Sequence, residues 1–251
     1  MKRNLLLGLA FVILSPPAAH GAELTVLSAG AVEARLVGLL ESFRRETGQQ
    51  VAVAFATAPA IRRKMAAGES VDVLIAPPAV LDELTRNRKV AEGRAILGRV
   101  GVGVTVRAGA PKPDISTPEA LTQAVLRADS LVYNEASTGI YFARLLERLG
   151  IADQVKAKTT RYPDGAAVME HVARGRGNEI GVGPITEILA HVPKGLVLVG
   201  PLPAAVQNYT SYAAAVMAGS PSPEEGRRLI RFLISPAAKA AFAATGVDEP
   251  R

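Results

Sequence analysis

Two long extended stretches interrupt an otherwise regular alternation of strand and helix, and this pattern constrains the chain more than any single motif. Glu23 to Ser28 reads as a short apolar strand. Val32, Leu36, Leu39, Leu40 and Phe43 then recur at helical spacing between Ala31 and Thr47, and Gly48 stops the helix. The unit repeats. Val51 to Ala56 predicts a strand, Pro59 suits a first helical turn, and Ile61 to Ala67 runs helically as far as Gly68. A third apolar strand, Val71 to Ala76, is followed by the Pro77-Pro78 break and a helix carrying Val80, Leu81 and Leu84. Strand and helix alternating at this spacing build a mostly parallel sheet with helices on both faces.

From Arg99 to Arg107 the character changes, because Val100, Val102, Val104 and Val106 alternate with small residues and no helix follows. Such a stretch predicts a crossing between two lobes. The rhythm then resumes with helices over 118–126, 138–149, 165–174 and 186–191 and strands over 130–133, 158–162, 179–182 and 196–199. Tyr209 to Met217 forms the second extended stretch, and two closing helices, 223–233 and 236–244, are expected to return to the first lobe. The expected fold is α/β: two doubly wound lobes joined by two hinge strands, with 22–104 and 209–251 in the first lobe and 105–208 in the second.

Lys2 and Arg3, the apolar run Leu5 to Leu14, the Pro16-Pro17 break and Ala19-His20-Gly21 make residues 1–21 an expected secretory signal peptide. The alternative is a membrane anchor, but a spanning helix needs about 20 apolar residues and this run is half that. Cleavage would leave 27 basic against 23 acidic residues, a mature charge of +4 in place of +6. So small an excess, with no arginine stripe, argues against nucleic acid as a partner and mildly favours an anionic ligand. Cysteine is absent, which removes disulfides, thiolate metal sites and cysteine nucleophiles. Tryptophan is absent and aromatics make up 4%, a poor supply for stacking sugars or single strands.

In open α/β sheets ligands sit beyond the carboxyl ends of the strands, where helix N-termini offer free amides to negative charge. Four turns qualify: Ser28-Ala29-Gly30-Ala31, Thr57-Ala58-Pro59, Asn134 to Gly139 with Ser137 and Thr138, and Asp164-Gly165-Ala166. Each lobe contributes two. Their small residues let an anion approach the backbone. The plainer alternative is that Ser28, Thr57, Ser137, Thr138 and Asp164 only cap helices. Arg62 or Arg63 could grip a carboxylate bidentately, against the alternative of a solvated helix face.

The blocks ELTVLSAGAVEARLVGLLESFRRETG (23–48), VAFATAPAIRRKMAAGESVDVLIAP (53–77), NEASTGIYFARLLERLGI (134–151), EIGVGPITEIL (179–189) and RFLISPAAKAAFAATGV (231–247) carry a resemblance to a known family. With the blocks in this order and spacing, the chain resembles the molybdate-binding periplasmic proteins of ABC importers. The resemblance implies a two-lobed periplasmic-binding-protein-like fold, an oxyanion held by neutral donors in the interlobe cleft, a periplasmic location and delivery to an inner-membrane ABC permease. The ligand positions depart from the family, which places a serine at the position of Ala31, another near Ala58 and a tyrosine near Pro184. Three lost donors at roughly 1.5–3 kcal/mol each would nearly abolish oxyanion binding unless neighbours replace them. A small carboxylate is the alternative ligand. Asp164 would repel a bare dianion but accept a hydrogen bond from a hydroxylated, protonated or amino ligand.

No G-x-S-x-G elbow, H-E-x-x-H pair or G-x-x-x-x-G-K-[ST] loop occurs, and Gly101-Val-Gly103 lies in a strand. His171 and His191 fall in predicted helices and read as structural or surface groups, and Asp72, Asp82 and Glu83 read as strand-end and surface charges. The sequence therefore predicts a monomeric, non-enzymatic receptor that carries no cofactor and no metal. The alternative from another class is a secreted α/β hydrolase or transferase acting on an anionic substrate.

Overall fold

The computed structural model describes residues 23–249. The expected signal peptide, 1–21, lies outside the described residues. The first lobe opens with β1 (Leu24–Ala29), a single 3-10 turn, and α1 (Glu33–Thr47), which ends on Gly48 at a φ of 74°. β2 (Val51–Ala56), α2 (Ala58–Ala66), β3 (Val73–Ala76) and α3 (Pro78–Arg86) follow. The apolar strands and helical periodicities place these elements within a few residues of the expected bounds. The helix expected from Ala31 starts two residues later because Gly30–Val32 winds as a tighter turn.

β4 (Val90–Arg107) is twice the expected length. Its first part, Val90 to Gly101, pairs antiparallel with β9 (Tyr209–Met217), and its last part pairs with β7 (Glu179–Pro184) and β8 (Leu196–Pro201). One strand thus belongs to both lobes. At the changeover the Gln207 side chain brackets Val102, accepting from its N–H at 3.1 Å and donating to its C=O at 3.0 Å. The Arg99 guanidinium of β4 lies 4.1 Å from the ring centroid of Tyr209 on β9, a cation–π contact between the two crossing strands.

The second lobe contains α4 (Pro118–Arg127), β5 (Ser130–Asn134), α5 (Ser137–Arg148), the short α6 (Ala152–Lys156), β6 (Thr159–Tyr162), α7 (Gly165–Arg174) and α8 (Ile185–His191). The sequence reading missed α6, whose five residues carry too little periodicity to register. α9 (Pro223–Leu233), α10 (Pro236–Ala243) and the two-residue β10 (Val247–Asp248) close the described chain.

The sheet order is β2-β1-β3-β9-β4-β7-β5-β6, with β8 and β10 also on β4. β1, β2 and β3 are mutually parallel, as are β5, β6 and β7. One apolar core joins Leu27, Leu36, Phe43, Ile75 and Leu81 to Leu229, Leu233 and Phe242, and α9 and α10 pack against α1, with α9 also on β9 and α10 on β4. The second core gathers Val104, Leu121, Leu131, Phe142 and Val182, and a smaller cluster around Val168, Met169 and Ile188 lies beside it.

Asp72 corrects the surface reading. It is 3% exposed and accepts from the Thr25 N–H at 2.8 Å, the Thr25 hydroxyl at 2.7 Å and the Ser220 hydroxyl at 2.5 Å. Burial alone would raise its pKa, but the hydrogen bonds from Ser220, Thr25 and Ser222 outweigh burial and hold it below the ordinary value. It ties β1 to the turn after β9. Asp82, half-buried, and Glu83, exposed, pair with Arg94 and Arg62 respectively.

Candidate functional site

The carboxyl ends of six parallel strands, three from each lobe, face a cleft of about 790 Å³. From the first lobe come Ala29, Gly30 and Ala31 after β1, Thr57 and Ala58 after β2, and Pro77 after β3. The second contributes Ser137 and Thr138 after β5, Asp164, Gly165 and Ala166 after β6, and Pro184 after β7. The turns of each lobe share one edge because its three strands run parallel, so every strand-to-helix turn falls at the same end. A hydrogen bond closes the cleft at one end: the Thr186 hydroxyl of α8 donates to the Ala31 carbonyl at 2.5 Å.

Of the residues expected at a ligand, three lie elsewhere. Ser28 is fully buried in β1, and its hydroxyl donates to the Ala29 carbonyl at 3.2 Å. Gly139 is buried in the first turn of α5. A side chain there would run into the Asn134 carbonyl, and its N–H is taken by the Asn134 Oδ1 at 3.0 Å. Arg62 points away and pairs with Glu83 at 3.0 Å, so the solvated-face alternative holds for it. Arg63, one residue on, lines the cleft in its place.

Among the candidate caps only Asp164 caps a helix, its Oδ1 accepting from the Ala167 N–H at 2.9 Å. Thr57 precedes α2 and Ser137 and Thr138 open α5 without a side-chain cap bond, so their hydroxyls are not committed to that role.

Glu187 escaped the sequence reading. It sits in the first turn of α8, where an acid ordinarily serves the helix dipole in solvent. Here its carboxyl turns inward and lines the cleft, and Oε2 is shielded from solvent with no hydrogen-bond partner. Two glycines flank that carboxyl, one from each lobe. An alanine Cβ at Gly30 would stand 3.7 Å from Oε1, and one at Gly165 would occupy the space Oε2 fills. Burial, and secondarily the charges of Asp164 and Glu33, push the Glu187 pKa up to about 8. At neutral pH it is mostly a neutral acid that can donate a hydrogen bond.

Tyr212 on β9 also faces the cleft. Burial, with the nearby Glu187 carboxyl, pushes its phenol pKa well above the ordinary value, so it stays protonated. His191 lines the cleft as well, with Nδ1 2.9 Å from the Glu187 carbonyl. A carbonyl only accepts, so Nδ1 carries the proton and fixes the ring. The remaining charged lining groups, Glu33, Arg63, Asp164 and Lys194 among them, are exposed along the rim.

A curated relative from Pseudomonas sp., Aconitate isomerase, is 33% identical over 231 residues, covering 89% of this chain and 87% of its own. The molybdate-binding protein of Escherichia coli K12 is 24% identical over 217 residues, covering 84% and 83%. The periplasmic molybdate-binding protein of Azotobacter vinelandii superposes with a TM-score of 0.75 at 16% identity, covering 91% of this chain and all of that one. The two-lobed periplasmic-binding fold is thereby shown, and a family model matches residues 24–248: the chain belongs to the bacterial extracellular solute-binding proteins.

Proposed function

We propose that the cleft binds a small organic polycarboxylate, held between the helix N-termini of both lobes. The placement of Glu187 carries this reading. A mostly neutral carboxyl in the lining can donate to one carboxylate of an extended ligand whose other charges lie further along the cleft, whereas all the charge of a compact tetrahedral dianion would sit beside the acid. The absent hydroxyls at Ala31, Ala58 and Pro184 favour the same conclusion. A cleft of about 790 Å³ is in the range that takes multi-atom organic ligands. Arg63 of the first lobe would meet one carboxylate, and the amides of Ser137 and Thr138 in the second would meet another, all three residues lining the cleft. Closure of the lobes would bury the ligand and present one surface to an ABC permease in the inner membrane of a periplasm-bearing cell.

Turnover is the second reading, and the relative named Aconitate isomerase favours it. The receptor expectation therefore stands beside an enzymatic one that differs from the hydrolase or transferase of the sequence reading.

Isothermal calorimetry of the mature chain with molybdate, tungstate, sulfate, citrate, tricarballylate and both geometric isomers of aconitate tests the binding reading. Micromolar or tighter affinity for at least one polycarboxylate, with none for the oxyanions, is expected. Binding of molybdate or tungstate alone would overturn it.

A further inference from the structure

The Glu187 carboxyl is built into the cleft in a way that hydrogen bonding alone does not require. It has no partner on Oε2, and the space it occupies exists only because Gly165 has no side chain. Gly165 opens α7 with an ordinary right-handed backbone, so conformational freedom does not demand glycine there. What glycine supplies is room for the acid. Gly30 leaves the opposite side of the carboxyl open to the first lobe. The result is one carboxyl at the meeting point of both walls, able to reach a ligand seated between them.

From this geometry we propose that Glu187 is the catalytic acid–base residue of the cleft, moving a proton between two carbons of an unsaturated polycarboxylate. The proposal rests on the polycarboxylate reading above and gives that site a reaction. Geometric isomers cannot interconvert while the double bond is intact, so its π character must be lost for a moment. The ionised Glu187 oxygen takes a proton from the methylene carbon next to the double bond. The C–H electron pair spreads over the three-carbon unit and into the attached carboxylates, and a new O–H bond forms on Glu187. Rotation about the former double bond becomes possible in that intermediate. The O–H bond then breaks, its proton goes to the far carbon, and the double bond re-forms in the shifted position. The atoms of product and substrate are the same, and no oxidant or reductant is consumed.

The surroundings suit such a step. The helix amides after β5 and the Arg63 guanidinium are placed to hold the carboxylates on which negative charge grows. The groups facing Glu187 are Asp164 before α7, Glu33 on α1 and Tyr212 on β9, two acids and a phenol that stays neutral. An acid in that company binds its proton strongly. It is therefore a stronger base, once ionised, than a solvated carboxylate.

The experiment uses trans-aconitate, then cis-aconitate, in deuterated buffer, followed by proton NMR alongside calorimetry. Wild-type protein should interconvert the isomers or incorporate deuterium at the methylene position, with kcat/KM rising with pH and levelling above about 8. Glu187→Gln should lose at least a hundredfold in rate while its affinity falls no more than tenfold, because the amide still donates a hydrogen bond. Gly165→Ala, which displaces the carboxyl without removing it, should lose at least tenfold in rate. Binding by the wild-type chain with neither isomerisation nor exchange would overturn this inference and leave the polycarboxylate reading intact. Turnover that survives in Glu187→Gln would overturn the assignment to Glu187. Failure of the wild-type chain to bind either isomer, or any other polycarboxylate, would remove both.

Discussion

Each lobe contains the same unit: three parallel strands in the order second, first, third, which is β2-β1-β3 in one and β6-β5-β7 in the other. The third strand of each unit leads into a proline with nearly the same backbone, Pro77 at φ −56°, ψ 142° and Pro184 at φ −60°, ψ 135°. From these prolines the lobes diverge. Pro77 is followed by Pro78, Ala79 and Val80, and Val80 is 1% exposed in the first core. Pro184 is followed by Ile185, Thr186 and Glu187. The position that completes a core in one lobe delivers a carboxyl to the cleft in the other. The first wall is lined mostly by small apolar turn residues, with cations on α2 beside Thr57, Glu33 and Tyr212, and the second carries more of the hydroxyls and acids, with His191 and Lys194 at its edge. A duplicated scaffold with unlike walls suits an unsymmetrical ligand better than a tetrahedral one.

The largest expected effect comes from removing the charge that distinguishes the second wall. Glu187 binds its proton with a pKa of about 8 when folded and near the ordinary 4.5 when unfolded. The folded state therefore holds more protons between those values, and wild-type stability declines as pH rises from 4.5 to 8. Glu187→Gln has no such dependence. It should match the wild type near pH 5 and exceed it by on the order of 3 kcal/mol at pH 8, several degrees in melting temperature. Thermal unfolding of both proteins from pH 5 to pH 8.5 checks this, and a constant difference across that range would mean Glu187 is solvated.

The first wall is tested by its two adjacent arginines. Arg63→Ala should weaken polycarboxylate binding by roughly ten- to a hundredfold, the loss expected for one charge-assisted hydrogen bond at about 1.5–3 kcal/mol. Arg62→Ala removes only an exposed pair with Glu83 and should change affinity less than twofold. Calorimetry separates the two, and equal losses would mean that the first lobe contributes no specific cation.

This pair also marks where the sequence was legible. The helical period placed both arginines on α2, but the period resolves a face only to within about one residue, and their order around the helix decides which meets the ligand. Strands and helices were readable because Val-rich alternation and 3.6-residue spacing are local signals. β4 was read at half its length since Gly93 and Gly98, both at positive φ, and its charged residues mask the alternation before Arg99. Eleven expected ligand residues do line the cleft, because strand-end turns in an α/β unit share one edge. Glu187 was not readable as a site residue. Nothing local distinguishes a first-turn acid that faces solvent from one that faces a cleft. The signal that could have found it is the pairing of Gly165 with Glu187, and that becomes visible only when two turns separated by a strand are brought together.

The smallest expected effect comes from giving the first wall the hydroxyls it lacks. Ala31→Ser with Ala58→Ser restores the two serines that the resemblance places at an oxyanion. Were missing donors the sole obstacle, molybdate affinity should rise by about two orders of magnitude or more, at about 1.5 kcal/mol or more for each of the two bonds to a charged ligand. The structure gives a different expectation. Ala31 already spends its carbonyl on Thr186, and Gly30 beside it faces the Glu187 carboxyl, so an oxyanion drawn to the new hydroxyls meets an acid that the substitutions leave in place. Molybdate binding should therefore stay undetectable in the double variant and appear only when Glu187→Gln is added. Calorimetric titration of molybdate into both variants measures the difference. A large gain from the serines alone would show that the first wall sets ligand class, and an equal lack of response in both would show that the amides, and not the side chains of either wall, decide it.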